Sequence, residues 1–178
     1  PNIGYFFLAL NIPILQGYGQ TEASPVITAN PPKKIKIETV GKLLVGVEAK
    51  LTKQGEICVR GDLLMKGYWN DPIATKKKLR DGWLMTGDIG VIHPDGYISL
   101  TGRKKDTIIV GGENINPVDI EKILNENKYL IKGRNVAFGN LNKKIHTEEI
   151  IILAEILKEN IKKININDIK KEIYNKLN

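Results

Sequence analysis

The sequence has a single cysteine, two histidines, few aromatic residues (6%) and no apolar run long enough to span a bilayer. Each shortage excludes something. One thiol, Cys58, cannot close an internal disulfide, and with two histidines beside it no Cys/His metal cluster can be assembled. Its neighbours Ile57 and Val59 place Cys58 on a strand as a small core residue. The longest apolar stretches, 5–10 and 150–154, are far shorter than the ~20 residues a membrane helix needs. The first residues carry no cationic stretch followed by a cleavage site, so a cytoplasmic protein without a transmembrane segment is expected. What is present is a chain of 178 residues, 42% of them hydrophobic. That suffices for one ordinary domain or two small ones with a real core.

Lysine and arginine number 27 against 20 acidic residues, a net charge of +7. Such a balance invites a nonspecific nucleic-acid partner. The lysines come in short scattered runs at 76–78, 104–105, 143–144, 162–163 and 170–171, without the interleaved aromatics of a single-strand stacking platform. A compositional bias toward lysine, isoleucine and asparagine explains the charge as well, and no nucleic-acid partner is expected.

Residues 1–30 open with Pro1 and an apolar run; Pro13-Ile14-Leu15 reads as a short strand leading into the glycine-rich loop Gln16-Gly17-Tyr18-Gly19. The chain is expected to begin inside a domain. Strands are predicted over 45–51 and 55–60, the second with alternating character, with a turn at Lys53-Gln54-Gly55. Asp71-Pro72 reads as an N-cap and first-turn proline for a short helix to about Leu79, stopped by Asp81-Gly82. Strands around 89–92 and 97–100, joined by His93-Pro94-Asp95-Gly96, read as a hairpin. Beyond Thr101-Gly102 the pattern gives a strand at 107–110, a helix at 117–125, strands at 134–138 and 149–156, and a helix at 167–177 capped by Asn167. A second, smaller α+β unit, short of a closing element, is therefore expected from residue 103.

Three blocks carry chemistry. In Gly17-Tyr18-Gly19-Gln20-Thr21-Glu22 the glycines let a ligand approach the backbone, the hydroxyl can donate to a phosphate, the carboxylate can hold Mg²⁺ and the ring can cover a flat base. A tight turn with an exposed glutamate explains the same residues. Trp83-Leu84-Met85-Thr86-Gly87-Asp88 sets a carboxylate after a glycine at a strand start, where it either accepts the two hydroxyls of a ribose or closes a turn. The stretch from Gly102-Arg103-Lys104-Lys105-Asp106 through Ile108 to Gly111-Gly112-Glu113-Asn114 and Pro117 is a charged link, a strand, a glycine turn and a proline-started helix, and reads as a solvated hinge.

In order and spacing these blocks, with Gly55-Glu56-Ile57-Cys58-Val59-Arg60-Gly61 and Lys66-Gly67-Tyr68-Trp69, resemble the adenylate-forming (AMP-binding) superfamily of acyl-CoA synthetases, luciferases and peptide-synthetase adenylation domains. The resemblance is close over residues 16–121. It implies an α/β and α+β fold: residues 1–102 as the distal, β-barrel-like part of the large AMP-binding domain, and 103–178 as an incomplete, small, mobile carboxy-terminal α+β domain. It implies ATP/AMP, Mg²⁺ and coenzyme A or phosphopantetheine as ligands, with Gly17 and Gly19 at the nucleotide. Tyr18 would lie by the adenine, Thr21 at the α-phosphate, Glu22 on the metal, and Asp88 with Arg103 at the ribose, with 97–100 lining the nucleotide side. Lys105 would be the hinge, and Gly111-Gly112-Glu113 the loop of the pantetheine tunnel.

The implied activity is an acid–thiol ligase: a carboxylic acid, of fatty type by Asn30-Pro31-Pro32 and Gly112-Glu113-Asn114, is activated as acyl-adenylate and passed to CoA or an acyl carrier protein. Two family elements are not found in the sequence, a Ser/Thr/Gly-rich pyrophosphate loop ending in Pro-Lys-Gly and a lysine in a Pro-x-x-x-x-Gly-Lys segment. Inactivity alone and a partner chain carrying the amino-terminal part are therefore expected. A non-catalytic nucleotide or carrier-protein binding module is the alternative.

Overall fold

A computed structural model describes residues 2–142, 144, 146–161 and 163–177; of the lysine runs noted above, Lys143 and Lys162 lie outside the described residues. The chain divides into two compact units, Pro1–Lys104 and Lys105–Asn178. The β-rich first unit with curled sheets and the α+β second unit give the fold class expected from the sequence.

The first unit opens with helix α1, Asn2–Ala9, where Asn11 (φ 58°) and Pro13 end the helix. Gly4 lets α1 lie on Ile37, since an added Cβ would come within 2.9 Å of that side chain. A three-stranded antiparallel sheet follows, β1 (Gly17–Gly19), β2 (Val26–Ala29) and β3 (Lys42–Leu43). The strand predicted at 13–15 is not there. It lies instead in the glycine block itself, because Gly17 and Gly19 permit a backbone approach that a side chain would block: a Cβ on Gly19 would sit 1.7 Å from the Pro25 carbonyl oxygen.

The larger sheet contains β4 (Glu48–Leu51), β5 (Glu56–Arg60), β6 (Leu79–Arg80), β7 (Trp83–Ile92) and β8 (Ile98–Arg103). β4 pairs β5 and β5 pairs β7, whose other edge takes β6 near its start and β8 toward its end, all antiparallel. β4 starts three residues later than predicted because Val45 and Gly46 form an exposed turn, with Gly46 at φ 80°. β5 does not alternate: Glu56, Ile57, Cys58 and Val59 are all buried. Helix α2 (Pro72–Lys78) has the predicted cap, the Asp71 carboxylate accepting from the Ala74 amide at 2.8 Å. Asp81 and Gly82, both at positive φ, then turn β6 into β7. The core, Ala23, Ile27, Ile57, Val59, Leu84 and Ile98, draws on both sheets.

The second unit holds the β9 (Ile108–Val110) and β10 (Glu113–Ile115) hairpin, α3 (Pro117–Glu126), the long β11 (Leu130–Asn142) and β12 (Thr147–Ile156) hairpin, and α4 (Ile166–Leu177). Ile108, Ile120, Ile123, Leu124, Leu130, Ala137 and Ile173 form its core. β11 is longer than predicted: an irregularity between Leu130 and Asn135, with Gly133 at φ 76°, carries the strand past a polar stretch the periodicity does not cover. Asn167 is not the cap of α4; it lies inside the helix and donates its amide to Asn165 Oδ1 at 3.0 Å. No helix among the described residues is long and apolar enough to cross a membrane.

Leu84 is fully buried in the first core, so Leu84→Ala is expected to cost about 3 kcal/mol. Ile73→Ala, at a position 69% exposed, is expected to stay within ~0.5 kcal/mol. Urea denaturation followed by tryptophan fluorescence checks both, because both tryptophans, Trp69 and Trp83, lie in the first unit.

Candidate functional site

The site is organised along β7. Leu84, Thr86 and Asp88 occupy its buried face in strict alternation. Leu84 feeds the core, while Thr86 and Asp88 bring polar groups to the same face and must be satisfied there. The Thr86 hydroxyl donates to the Ile57 carbonyl at 2.6 Å and accepts from the Asp88 amide at 3.1 Å. Asp88 was expected at a strand start; it lies in the middle of a ten-residue strand, just beyond Gly87 at φ 78°, where the β5–β7 register shifts. That bulge re-aims the residues on either side of it.

Asp88 is 5% exposed, and a buried carboxylate must be paired. Tyr18 Oη donates to its Oδ2 at 2.6 Å, Gln20 Nε2 donates to the same oxygen at 2.7 Å, and Arg103 Nε lies 3.2 Å from Oδ1. Tyr18 and Gln20 come from β1 and the residue after it, Arg103 from the β8 position opposite Asp88. Gln20 Nε2 also donates to the Thr86 carbonyl at 2.9 Å and contacts Tyr18 Oη at 3.2 Å. These acceptors fix the amide orientation, since a flipped Gln20 would set its oxygen against the carboxylate. Gln20 Oε1 is thereby left buried without a hydrogen-bond partner. Burial, reinforced by the Asp88 carboxylate, pushes the Tyr18 hydroxyl well above its ordinary range and keeps it a neutral donor.

Glu22 sits in the single 3₁₀ turn Thr21–Ala23 that follows β1. Tyr68 Oη donates to its Oε1 at 2.6 Å, and the Met65 amide is bound to its carbonyl at 2.9 Å. The tyrosine bond holds the Glu22 carboxyl below the usual range against an opposing effect of burial, with Lys78 assisting, and the Tyr68 phenol is pushed up to about 12. Thr21, beside it, is exposed.

Of the residues singled out in the sequence, Tyr18, Asp88 and Arg103 are thus in contact, and Glu22 joins Tyr68. Gly17 and Gly19 are strand residues fitted to β2 rather than a flexible loop. Lys105 is the first residue of the second unit, in the turn Lys104–Asp106. Gly111 and Gly112, both at positive φ, form the open β9–β10 turn, where an added Cβ would meet nothing within 4 Å. Gln20, Thr86, Tyr68, Glu56 and Lys104 belong to the same constellation without having been assigned a role from sequence. The available signal was Glu56, a carboxylate opening an otherwise apolar strand.

A family model described as "AMP-binding enzyme" matches residues 1–69. The long-chain-fatty-acid–CoA ligase FadD15 of Mycobacterium bovis is 38% identical over 120 residues, 67% of this chain and 20% of the relative. Among solved structures, ATP-bound MatB from Rhodopseudomonas palustris superposes with a TM-score of 0.79 at 29% identity, covering 93% of this chain and 34% of that one. MenE from Bacillus subtilis in complex with the acyl-adenylate intermediate OSB-AMP gives 0.76 at 26% identity, with 98% and 37% covered. Fold and sequence match the carboxy-terminal part of adenylate-forming enzymes. The chain belongs to the AMP-binding, adenylate-forming superfamily, and the relatives it matches are named as acyl-CoA synthetases and fatty-acid–CoA ligases. It spans about a fifth of the length of the curated relatives it matches.

Because the folded Glu22 pKa is depressed, the Tyr68 bond stabilises the fold above the ordinary carboxylate range, and that contribution is lost as pH falls through the lowered value. Tyr68→Phe is expected to return Glu22 toward its ordinary pKa, read by NMR titration of the side-chain carboxyl. An unmoved titration would detach Glu22 from Tyr68.

Proposed function

We propose that the chain carries the ribose and metal sides of the active site of an acid–thiol ligase. The reaction joins a carboxylic acid of fatty type to the thiol of coenzyme A or of a carrier-protein phosphopantetheine. The observation that carries this reading is Asp88, a buried carboxylate held by a phenol, an amide and a guanidinium. Its Oδ1 has one of its acceptor positions occupied by Arg103, and a carboxylate oxygen accepts about two hydrogen bonds. The position left on that oxygen suits one hydroxyl of a ribose diol. Gln20 Oε1, on the amide whose nitrogen donates to Asp88, is a second buried acceptor without a partner.

Glu22 suits a magnesium ion that arrives on phosphates. Mg²⁺ is commonly held by one or two carboxylates with phosphates and water completing its shell, and no group of three or more His, Cys, Asp or Glu among the described residues could hold a metal alone. The Tyr68 bond lowers the Glu22 pKa and fixes the orientation of its carboxylate. The ion, when bound, neutralises charge on the phosphates during displacement. Thr21, exposed beside Glu22, is assigned to the α-phosphate in this reading.

In the proposed reaction a substrate carboxylate oxygen bonds to the α-phosphorus as the bond to pyrophosphate breaks. A thiol then bonds to the acyl carbon and AMP leaves. Residues of the first unit orient the nucleotide throughout. The second unit is the mobile domain, pivoting at Lys105 and presenting Gly111-Gly112 to the thiol for the second step. A pyrophosphate loop is not among these 178 residues; turnover is assigned to the polypeptide, the same one or another, that supplies it in a cytoplasmic setting.

Asp88→Ala is expected to weaken AMP binding about 10- to 100-fold with or without magnesium. Glu22→Gln is expected to weaken Mg·ATP while leaving metal-free AMP within about 3-fold. Calorimetric titration of both nucleotides checks the pair, and equal losses for both ligands in both variants would defeat the assignment.

A further inference from the structure

Glu56 is a carboxylate where packing alone calls for a hydrophobe. It opens β5 beside Ile57, Cys58 and Val59, is 3% exposed, and both its oxygens are used. Oε1 accepts from the Gly87 amide at 3.0 Å, and Oε2 pairs with Lys104 Nζ at 2.9 Å. Those two partners are the residue immediately before Asp88 and the residue immediately after Arg103, and Asp88 and Arg103 face each other across β7 and β8. One buried carboxylate therefore grips both flanks of the ion pair proposed to meet the ribose. The next β5 residue adds to the hold, since the Ile57 carbonyl takes the Thr86 hydroxyl on the other side of the bulge.

We infer that Glu56 is a positioning residue that sets ribose selectivity: it fixes the Gly87 bulge and Lys104, and through them the spacing and aim of Asp88 and Arg103. This rests on the reading of Asp88 as the ribose acceptor. The physical reason for a carboxylate follows from the bulge. Gly87 at φ 78° turns its amide off the regular β5–β7 ladder, so a backbone carbonyl in register does not receive it and a side-chain acceptor must. An apolar residue would leave that amide unpaired and release Lys104. With the Lys104 side chain half exposed, the ion pair itself is a weak source of stability. Positional control is what this pair provides.

The test compares binding of AMP, 2′-deoxy-AMP and 3′-deoxy-AMP to the full 178-residue chain by calorimetry. The wild-type chain is expected to prefer AMP by about 10-fold or more over either deoxy compound, the loss of a hydrogen bond to a charged acceptor. In Glu56→Met the preference is expected to collapse to within about 3-fold, with Glu56→Gln intermediate because its carbonyl still receives the Gly87 amide. A merely structural role would lower affinity for all three nucleotides together and leave the preference unchanged, and that result overturns the inference. Lys104→Met, at a half-exposed side chain, should lower the preference in the same direction and decides the matter if Glu56→Met does not fold. No preference in the wild-type chain would instead remove the ribose reading of Asp88 itself.

Discussion

Much of the first unit is arranged around the burial of one negative charge. Asp88 is taken out of water on the inner face of β7, and an unpaired carboxylate there would be prohibitively unfavourable. The partners of that carboxylate come from two places in the chain, Tyr18 and Gln20 from the β1 end and Arg103 from β8, while the Thr86 hydroxyl takes the Asp88 backbone amide. Each partner demands a particular local structure. Tyr18 reaches Asp88 because the Gly-Tyr-Gly strand can lie directly against β2, and Arg103 reaches it because the β7–β8 register sets the two residues opposite one another. The interaction that organises the candidate site is therefore also one that ties the small sheet to the large one.

Next to this rigid centre the Glu22–Tyr68 pair is of a different kind. It is partly open to solvent, and its strength lies in a short bond between a phenol and a carboxylate rather than in burial. The metal-binding role proposed for Glu22 needs a carboxylate that is ionised and reachable at once, and this pairing is compatible with both. The second unit has its own core, with α3 and α4 packed about Ile120, Ile123 and Ile173. Its glycine turn leaves open space where added side chains would lie.

Local chemistry in the sequence located most elements, because caps and turns act within a few residues. Asp71-Pro72, the 93–96 turn and the Pro117 helix start appear where residue type alone places them, whereas Asp81-Gly82, read as a helix stop, turns β6 into β7 after α2 has already ended at Lys78. The family blocks led to Tyr18, Asp88 and Arg103. Contacts made across long separations were not legible. Tyr18 and Gln20 lie 70 and 68 residues before their shared acceptor, and Tyr68 lies 46 after Glu22. Nothing periodic marks such pairings. The glycine block was misjudged for a related reason: a glycine that yields a loop and one that permits two strands to touch are the same letter, and the neighbour that decides between them, Pro25 against Gly19, is known only once the chain has folded. Asn167 was taken as the cap of α4, but the helix begins at Ile166 and the Asn165 side chain receives the Asn167 amide.

The central claim is that the Asp88 network receives the nucleotide. Titration of the ¹⁵N-labelled chain with AMP, followed by amide shifts, tests it most directly. The account predicts saturable shifts concentrated at residues 17–20, 86–88 and 103, absent in Asp88→Ala. Saturable shifts centred elsewhere, or unchanged in that variant, would contradict it.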